Sequence, residues 1–450
     1  MQEHLQALST FVCQHPSASL DSAALHRAKW VILDSLTAIA AGMQVDEMRS
    51  FSNATLADAL PGPCWVVGTG KRTNASDAAL LNGMAGTWLE LNEGNLIAKG
   101  HPGIQVVPIA IAMAQQLRST GRDLLRAVVM GYEVASRVGR GARLRLAVHP
   151  HGTYGAIGAA VAVGVLKGYN ASAIQQLISV AATLGLATSR RTLLEGATVR
   201  NVYTGHSGVM GLWASRLIEA GFTGEPTGVQ SAFGQVLGDA FDETSLSQGL
   251  GQEWLINRGY FKLHCTGRYV HAAIDALEDA CAGLPSARIT AEDIEWIDVR
   301  TFALAAMLNG QNIDSSFGAR FSIPFALATL IVHGESSLEA FSDPAVRNTE
   351  VQSLCQRIHV QEIPGFTQRY PAEQVCEVDI LTRRGETLRG RCELMKGEAG
   401  NPYKNGEVEA KYLKLATEAW GTDTATRLRV GILALEQVED FEQLTRSLPL

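Results

Sequence analysis

The chain has 450 residues, enough for roughly two large or three average domains with substantial hydrophobic cores. Hydrophobic residues make up 46% of it and charged residues only 18%, a composition that excludes a disordered or coiled-coil protein. The formal net charge of -7 excludes the diffuse basic surface that nucleic-acid binding needs. Any anionic ligand must therefore meet a local group of cations.

The cysteines and the N-terminus bear on the cellular compartment. The 7 cysteines are scattered and form no CxxC pair, so we expect neither a disulfide framework nor a zinc knuckle. The N-terminal segment has neither a basic leader nor a sustained apolar stretch, and no run reaches the roughly 18 apolar residues of a membrane span. We therefore expect a cytoplasmic protein without a membrane or nucleic-acid partner.

Helical spacing of apolar residues dominates the chain up to about residue 260. Glycine or proline separates most of the segments, and many small residues favour close helix packing. The predicted helices are Ala23–Ala41, Asp77–Leu91, Gly103–Leu117, Asp123–Val138, Gly155–Leu166, Ala171–Leu186 and Gly208–Ala220.

The pattern changes after about residue 266, where alternating apolar residues predict strands mixed with helices. The predicted strands are Ile294–Phe302, Ile358–Ile363, Gln374–Thr382 and Thr387–Met395, and the helices lie near His271–Ala282 and Ser322–His333. This texture is typical of an α+β unit.

Helical spacing returns near the C-terminus, over Val408–Trp420, Thr424–Leu435 and Gln437–Leu448. These helices can pack back on the first ones. We therefore predict a mainly α protein with a discontinuous all-helical domain, residues 1–265 and 400–450. Residues 266–399 would form a smaller α+β lid domain inserted between its halves.

Two segments resemble known ligand-binding motifs but lack residues or spacings that those motifs require. The stretch from Gly68 to Thr73 resembles a phosphate-binding loop, but Trp65 stands at the first glycine position and Arg72 replaces the magnesium-binding hydroxyl. His149 and His151 are too close, across Pro150, to form a helical metal pair. We expect no metal and no organic cofactor.

Titratable residues concentrate in the loop between the predicted helices Asp77–Leu91 and Gly103–Leu117. Lys99 and His101 lie close together there, and each can act as a base when it is held neutral. A solvated loop ending at a proline-started helix is the alternative interpretation of the same residues.

Three further segments carry isolated cations or histidines in apolar surroundings. Singly, each is as readily explained by a helix cap or a surface ion pair as by a site. Lys262 differs in lying at the predicted domain boundary, where clefts form. The residues concerned are His149, His151 and Tyr154 in the first segment, Arg200, Tyr203 and His206 in the second, and Lys262, His264 and Arg268 in the third.

These segments, in this order, resemble the MmgE/PrpD family, which contains dehydratases, decarboxylases and an epimerase. The resemblance spans nearly the whole chain. It rests on Asp34-Ser35-Leu36, Gly68-Thr-Gly-Lys71-Arg-Thr73, Leu81-Asn82-Gly83, His101-Pro102, His149-Pro150 with Gly155, Phe261-Lys262 and Arg320-Phe321-Ser322.

The resemblance implies a helical domain with an inserted α+β lid, a homodimer, and cofactor-free chemistry on a small polycarboxylate. It also implies that His101 and His149 are active-site histidines and that Lys262 is the family's lysine at the domain boundary. Arg200 stands where other members carry a lysine; because guanidinium does not deprotonate in proteins, we expect it to bind a carboxylate.

The chain departs from the family pattern at two places. Residues 90–94, from Glu90 to Gly94, replace an Asp-x-Asp-Asp-Thr stretch of the dehydratases and decarboxylases, with one extra residue before His101. Phe325 replaces a tyrosine. Both changes remove groups that could deliver a proton, which puts dehydration and decarboxylation in doubt.

What remains favours proton abstraction at a carbon next to a carboxylate. We predict a cofactor-independent epimerase of a small amino- or imino-dicarboxylate, similar to iminodisuccinate. Lys99 or His101 would serve one face of the carbon and His149 the other, with Lys262 stabilising the developing charge. The expected substrate-binding residues are Arg200, Arg191, Glu90 and Tyr154.

Two other functions remain open. One is a hydro-lyase that acts on a methylcitrate-like substrate, and the other is a dicarboxylate-binding relative without catalytic activity. The sequence also leaves open whether His151, His206, Arg190 or Tyr203 lines the pocket.

Overall fold

Helices make up most of the computed structural model, which describes residues 1–16, 19–284, 289–404 and 406–448. This confirms the prediction of a mainly helical fold. No described helix is both long enough and apolar enough to cross a membrane. The seven cysteines all lie among the described residues and are free thiols.

The first part of the chain contains helices at every position where apolar spacing predicts one. It also has two short antiparallel strand pairs, β1 with β2 and β3 with β4. The elements are α1 (Gln2–Gln14), α2 (Ser22–Gly42), α3 (Asp46–Ala57), β1 (Cys64–Val66), β2 (Lys71–Thr73), α4 (Ala75–Trp88), α5 (Pro102–Leu117), α6 (Gly121–Gly141), β3 (Ala142–Leu144), α7 (Gly155–Leu166), α8 (Ala171–Ala182), α9 (Arg191–Leu194), α10 (Val202–Glu219), α11 (Gly228–Ser231) and β4 (Gly238–Phe241).

Helix α7 lies at the centre of this part and contacts α5, α6, α8 and α10. It is apolar on all sides, as expected of a helix surrounded by others. Its small residues let the backbones approach closely: a Cβ on Gly158 would lie 2.6 Å from the carbonyl oxygen of Gly131 on α6. A larger residue at either glycine would push the two helices apart.

A four-stranded sheet with the order β6-β5-β7-β8 forms the second part. Only the β5–β6 pair is parallel. Helix α12 packs on β7 and β8, and Gly390 in β8 makes this possible because a Cβ there would lie 2.0 Å from the Ala276 carbonyl oxygen. The elements are α12 (His271–Cys281), β5 (Ile294–Thr301), α13 (Ala303–Ala306), α14 (Ser316–Ala319), α15 (Ile323–His333), α16 (Asp343–Val346), α17 (Thr349–Cys355), β6 (Ile358–Glu362), α18 (Pro364–Thr367), β7 (Cys376–Thr382) and β8 (Thr387–Cys392).

The C-terminal helices contact the first part of the chain. Helices α19 (Glu407–Trp420) and α20 (Thr422–Leu433) pack against α2, and α21 (Phe441–Arg446) packs against α5. The Gln115 amide on α5 donates to the Thr445 hydroxyl at 2.8 Å. The C-terminal segment therefore lies against helices from the beginning of the chain. The division into a discontinuous helical domain and a lid remains a prediction.

Candidate active site

A cleft of about 730 Å³, its open mouth included, lies where the loops between helices meet the second part of the chain. Its wall combines histidines and cations with apolar side chains. The lining residues are Glu90, Asn95, Leu96, Lys99, Gly100, His101, His149, Pro150, His151, Arg190, Leu193, Leu194, Arg200, Tyr260, Gly267, Arg268, Tyr269, Leu304, Met307, Leu308 and Phe321.

The loop between α4 and α5 supplies the largest share of the lining. It is folded on itself, because Asn95 and Gly100 exchange backbone hydrogen bonds of 2.8 and 3.1 Å. A second pair of backbone hydrogen bonds, 2.7 and 3.1 Å long, joins Gly94 to Tyr260. The loop is therefore a fixed structure rather than the solvated connection that its polarity would also allow.

His101 ends this loop as the N-cap residue of α5. Its Nδ1 lies 2.6 Å from the Glu93 carbonyl oxygen and 3.1 Å from the Asn92 amide nitrogen. A carbonyl oxygen cannot donate and an amide nitrogen cannot accept, so the two contacts call for opposite states of Nδ1. We assign the proton to Nδ1 on the shorter contact, which leaves Nε2 as an unprotonated acceptor. Burial, with a smaller effect of the Lys262 ammonium, lowers the pKa of His101 to about 3 and keeps the ring neutral.

His149 and His151 lie beside His101 on the loop before α7. Nδ1 of His149 accepts the backbone N–H of His151 at 3.1 Å, which places the proton of the neutral ring on Nε2. The His151 ring centre lies 4.9 Å from that of His101 and 4.5 Å from that of His149. Burial, followed by Arg200, lowers the pKa of both His149 and His151 well below the usual value. We call these three residues the histidine cluster.

Gln105 on α5 ties the two histidine loops together. Its amide nitrogen donates to the His101 carbonyl at 3.1 Å, and its Oε1 accepts from the Gly152 N–H at 2.9 Å. The Ser207 hydroxyl on α10 donates to the same oxygen at 2.9 Å. One buried amide thus fixes the spacing of three segments around the cleft.

Glu90, Arg200 and Lys262 form a buried group that we call the ion cluster. Glu90 Oε1 lies 2.7 Å from an Arg200 guanidinium nitrogen, and Oε2 lies 3.1 Å from Lys262 Nζ. Burial raises the pKa of Glu90, but Arg200 and Lys262 outweigh it and hold the pKa at about 2. Glu90 is therefore a counter-ion to two cations, and because it also lines the cleft its role in substrate binding stays a prediction.

The predicted catalytic lysines occupy different places. Lys262 is fully buried, pairs with Glu90, and is not among the residues that line the cleft; burial lowers its pKa. Lys99 lines the cleft, but its Nζ donates to the carbonyl oxygens of Arg140 and Ala142, at 3.1 and 2.6 Å, where α6 ends. Its amine therefore caps the C-terminal end of a helix, while burial lowers its pKa. Its role as a base stays a prediction.

Two predicted substrate-binding residues lie outside the cleft lining. Arg191 is exposed and pairs with Glu195, one helical turn away on the surface. Tyr154 is fully buried beneath the loop, where a Cβ on Gly100 would lie 2.1 Å from its hydroxyl oxygen. Among the described residues that hydroxyl has no hydrogen-bond partner. Of the residues left open, His151 and Arg190 line the cleft, whereas His206 and Tyr203 do not.

Arg268 is a cation in the cleft wall to which the sequence analysis gave no role. Its guanidinium lies 4.3 Å from the ring centre of Tyr260 and pairs with Glu398 at 2.8 Å. Tyr269 lines the cleft next to it. The only available signal was the position of Arg268 six residues after Lys262 in an apolar segment.

The arrangement can bind carboxylates and accept a proton. Arg190, Arg200 and Arg268 all line the cleft, as does His101, whose hydrogen bonds within the described part of the chain are made through Nδ1. Among the described residues no three His, Cys, Asp or Glu side chains are grouped as a metal site would require.

Family models match almost all of this architecture. The model of the MmgE/PrpD N-terminal domain matches residues 6–240, and the model of the MmgE/PrpD C-terminal domain matches residues 264–437. The chain belongs to the MmgE/PrpD family. The resemblance inferred from the ordered motifs is thereby confirmed.

Curated relatives in the family carry the name of a lyase. Cis-aconitate decarboxylase of Aspergillus terreus is 24% identical over 95% of this chain and 92% of its own length. Cis-aconitate decarboxylase-like protein oryM of Aspergillus oryzae is 24% identical over 97% and 95%. The cis-aconitate decarboxylase of Mus musculus is 22% identical over 82% and 78%. These relatives favour the lyase alternative over the predicted epimerase.

Proposed function

We propose that this protein is a lyase that acts on a small polycarboxylate and uses His101 as its base. One observation carries the proposal: the hydrogen bond from Nδ1 to the Glu93 carbonyl leaves the lone pair of Nε2 available in the cleft. The names of the curated relatives support the lyase class. Their low identity leaves the substrate itself open.

Arg200, Arg190 and Arg268 would bind the substrate carboxylates. Guanidinium groups pair with carboxylates through two parallel hydrogen bonds and keep their charge at any relevant pH. A carboxylate held beside the reacting carbon shares the negative charge that develops there, and the cations stabilise it. When no substrate carboxylate is bound, the Glu90 carboxylate offsets part of the positive charge of Arg200 and Lys262.

In the proposed step, Nε2 of His101 takes the proton from the carbon next to a carboxylate. The electron pair of that C–H bond forms a double bond as the leaving group departs from the neighbouring carbon with its own bonding pair. The imidazolium then returns a proton to the leaving group. Nε2–H of His149 would donate a hydrogen bond to the developing charge.

Product analysis tests the proposal. The purified protein is incubated with cis-aconitate, citrate and 2-methylcitrate, each with and without the substitution His101→Gln. A new alkene from citrate or 2-methylcitrate, lost in the variant, supports the proposed step. Carbon dioxide released from cis-aconitate would support a lyase but contradict a step that begins with His101 as the base, because decarboxylation adds a proton to carbon instead of removing one. No product from any member of the panel, or equal rates for both proteins, would overturn it.

An epimerase of an amino- or imino-dicarboxylate is the second candidate. Its support is that Asn92, Glu93 and Gly94 replace groups which lyases of the family carry, and that His149 presents the opposite tautomer to His101. An epimerase would exchange the hydrogen at the reacting carbon with solvent and release neither carbon dioxide nor an alkene. A binding relative without activity would do neither.

We also propose that the protein is a cytoplasmic homodimer, as the family resemblance implies. Analytical ultracentrifugation of the whole chain gives the oligomeric state directly. A single species of about twice 48.2 kDa is expected. A monomer at micromolar concentration would contradict the dimer.

A further inference from the structure

A buried ion pair joins the C-terminal helix α19 to α2 at the base of the active-site loop. Lys411 Nζ lies 2.6 Å from Oδ1 of Asp34, and neither side chain is more than 8% exposed. The same ammonium donates to the Leu91 carbonyl oxygen in the loop, also at 2.6 Å. Lys411 therefore holds the loop as well as the helix.

Asp34 holds the next residues of the loop. Its second oxygen, Oδ2, accepts the backbone N–H of Glu93 at 2.7 Å. The Glu93 carboxyl is fixed as well, because Oε1 accepts the Gly103 N–H at 2.7 Å and Oε2 accepts the Tyr132 hydroxyl at 2.9 Å. Every polar group of Glu93 thus has a partner, and the carbonyl is the one that faces His101.

The peptide group between Glu93 and Gly94 is pinned from both sides. Its N–H, on Gly94, donates to the Tyr260 carbonyl at 3.1 Å, and its C=O accepts from Nδ1 of His101 at 2.6 Å. N–H and C=O point in opposite directions in a trans peptide. A rotation of this group would therefore break both hydrogen bonds and withdraw the acceptor that fixes the proton on Nδ1.

We propose that Lys411 and Asp34 are positioning residues that hold the Glu93 carbonyl in place and thereby keep His101 in the tautomer with a bare Nε2. They touch neither the cleft nor the reacting atoms, and they act through the loop. The effect on turnover rests on the function proposed for His101. The effect on the tautomer does not, because it can be measured without any substrate.

A second ion pair provides a matched control. Lys29 on α2 pairs with Glu436 at 2.6 Å and donates to the Leu433 carbonyl oxygen at 2.9 Å. It therefore joins the same helix to the C-terminal segment with the same two kinds of acceptor, and its side chain is 12% exposed. Among the described residues it makes no hydrogen bond to the active-site loop. Lys29→Met removes a tether of the same kind, with a more exposed carboxylate (37% for Glu436), and leaves the loop contacts intact.

The experiment compares Lys411→Met and Asp34→Asn with Lys29→Met in the full-length protein. Nitrogen-15 NMR of labelled histidine reports which ring nitrogen of His101 is protonated, and His101→Gln assigns its signals. We expect the wild type and Lys29→Met to show a protonated Nδ1. We expect both loop variants to show a mixture of tautomers, with kcat lowered by about 10- to 100-fold and KM changed much less.

The outcomes separate the two proposals. A shifted tautomer without any substrate turned over upholds the positioning role and counts against the proposed function. An unchanged Nδ1 signal in folded Lys411→Met and Asp34→Asn overturns the positioning role, whatever the activity. Equal losses of kcat in Lys411→Met and Lys29→Met also overturn it, since they would show a general structural effect. If Lys411→Met does not fold, Asp34→Asn decides the question.

Discussion

The ion cluster and the histidine cluster meet at one cleft and differ in how their charge is handled. Both are almost completely removed from solvent. In the ion cluster opposite charges at 2.7 and 3.1 Å counter the effect of burial and hold the pKa of Glu90 at about 2. In the histidine cluster no carboxylate among the described residues pairs with the rings, and burial lowers the pKa of each histidine.

The difference assigns separate tasks to the two clusters. An internally paired group provides a fixed positive field, because one carboxylate offsets only one of its two cations. A neutral ring with a defined tautomer can accept a proton, which a paired ammonium or guanidinium cannot do. On the proposed function, binding and proton transfer would be carried by neighbouring residues in opposite electrostatic surroundings.

Removing the base should have the largest effect. We expect His101→Gln to lower kcat by about 10²- to 10⁴-fold, the range for loss of a general base, with the fold retained. His206→Gln is the control: His206 is a half-buried histidine that contacts the Leu184 carbonyl and lies outside the cleft lining. Steady-state kinetics and circular dichroism check both. Equal kcat values for the two variants would contradict the assignment of the base.

Breaking the ion cluster should mainly cost stability. Glu90→Gln leaves Arg200 and Lys262 buried without a counter-ion, so we expect the free energy of unfolding to fall by about 3 to 5 kcal/mol. The exposed pair Arg191–Glu195 gives the control, since Glu195→Gln should cost no more than about 1 kcal/mol. Urea denaturation measures both. A cost for Glu90→Gln as small as that of the control would show that the cluster is not electrostatically coupled.

Glu93 is a second buried carboxyl, and unlike Glu90 it has no cation among the described residues close enough to pair with it and offset the effect of burial on its pKa. Burial raises its pKa from 4.5 to about 7. Between these pH values the folded protein keeps a proton that the unfolded chain has released, so stability falls as pH rises. We expect the wild type to lose about 3 kcal/mol over this window relative to Glu93→Gln. If the free energy of unfolding changed with pH in the same way in both proteins, the raised pKa of Glu93 would be refuted.

The smallest effect is expected at Arg191, a cation that belongs to neither cluster. Its guanidinium is exposed and pairs with Glu195. Arg191→Ala should therefore leave kcat/KM within about twofold, whereas Arg200→Ala should raise KM strongly by removing a buried carboxylate-binding group. Michaelis–Menten kinetics on one substrate distinguishes the two. A large loss for Arg191→Ala would place this residue in the binding site after all.

Periodicity predicted the helices and strands because each buries an apolar face. The predicted helix Gly155–Leu166 has the bounds of α7, and the four predicted strands are those of the main sheet. Other helices begin or end a few residues away from their predicted bounds, at positions where a side-chain cap sets the end of the helix. Asn74, whose side chain accepts from the Asp77 N–H, starts α4 two residues before the predicted helix. Side-chain caps act locally and do not alter the apolar pattern.

The histidines of the cleft could be predicted, whereas the roles of the cations could not. His101 and His149 follow from their unusual loops and from the family resemblance, but the partner of each ring nitrogen depends on tertiary contacts. Lys99 and Arg191 have the right chemistry at the right place in the sequence. Only the structure shows that one caps helix α6 and the other lies on the surface.

The central claim is that His101 moves a proton at the substrate carbon. Its most direct measurement is mass spectrometry of substrate recovered from a partial reaction in deuterated water with the wild type and with His101→Gln. We predict one solvent deuterium at the carbon next to the carboxylate with the wild type, because the proton held by the imidazolium exchanges with solvent before it returns, and at least a hundredfold slower incorporation with the variant. Deuterium incorporated by His101→Gln at the wild-type rate would contradict it.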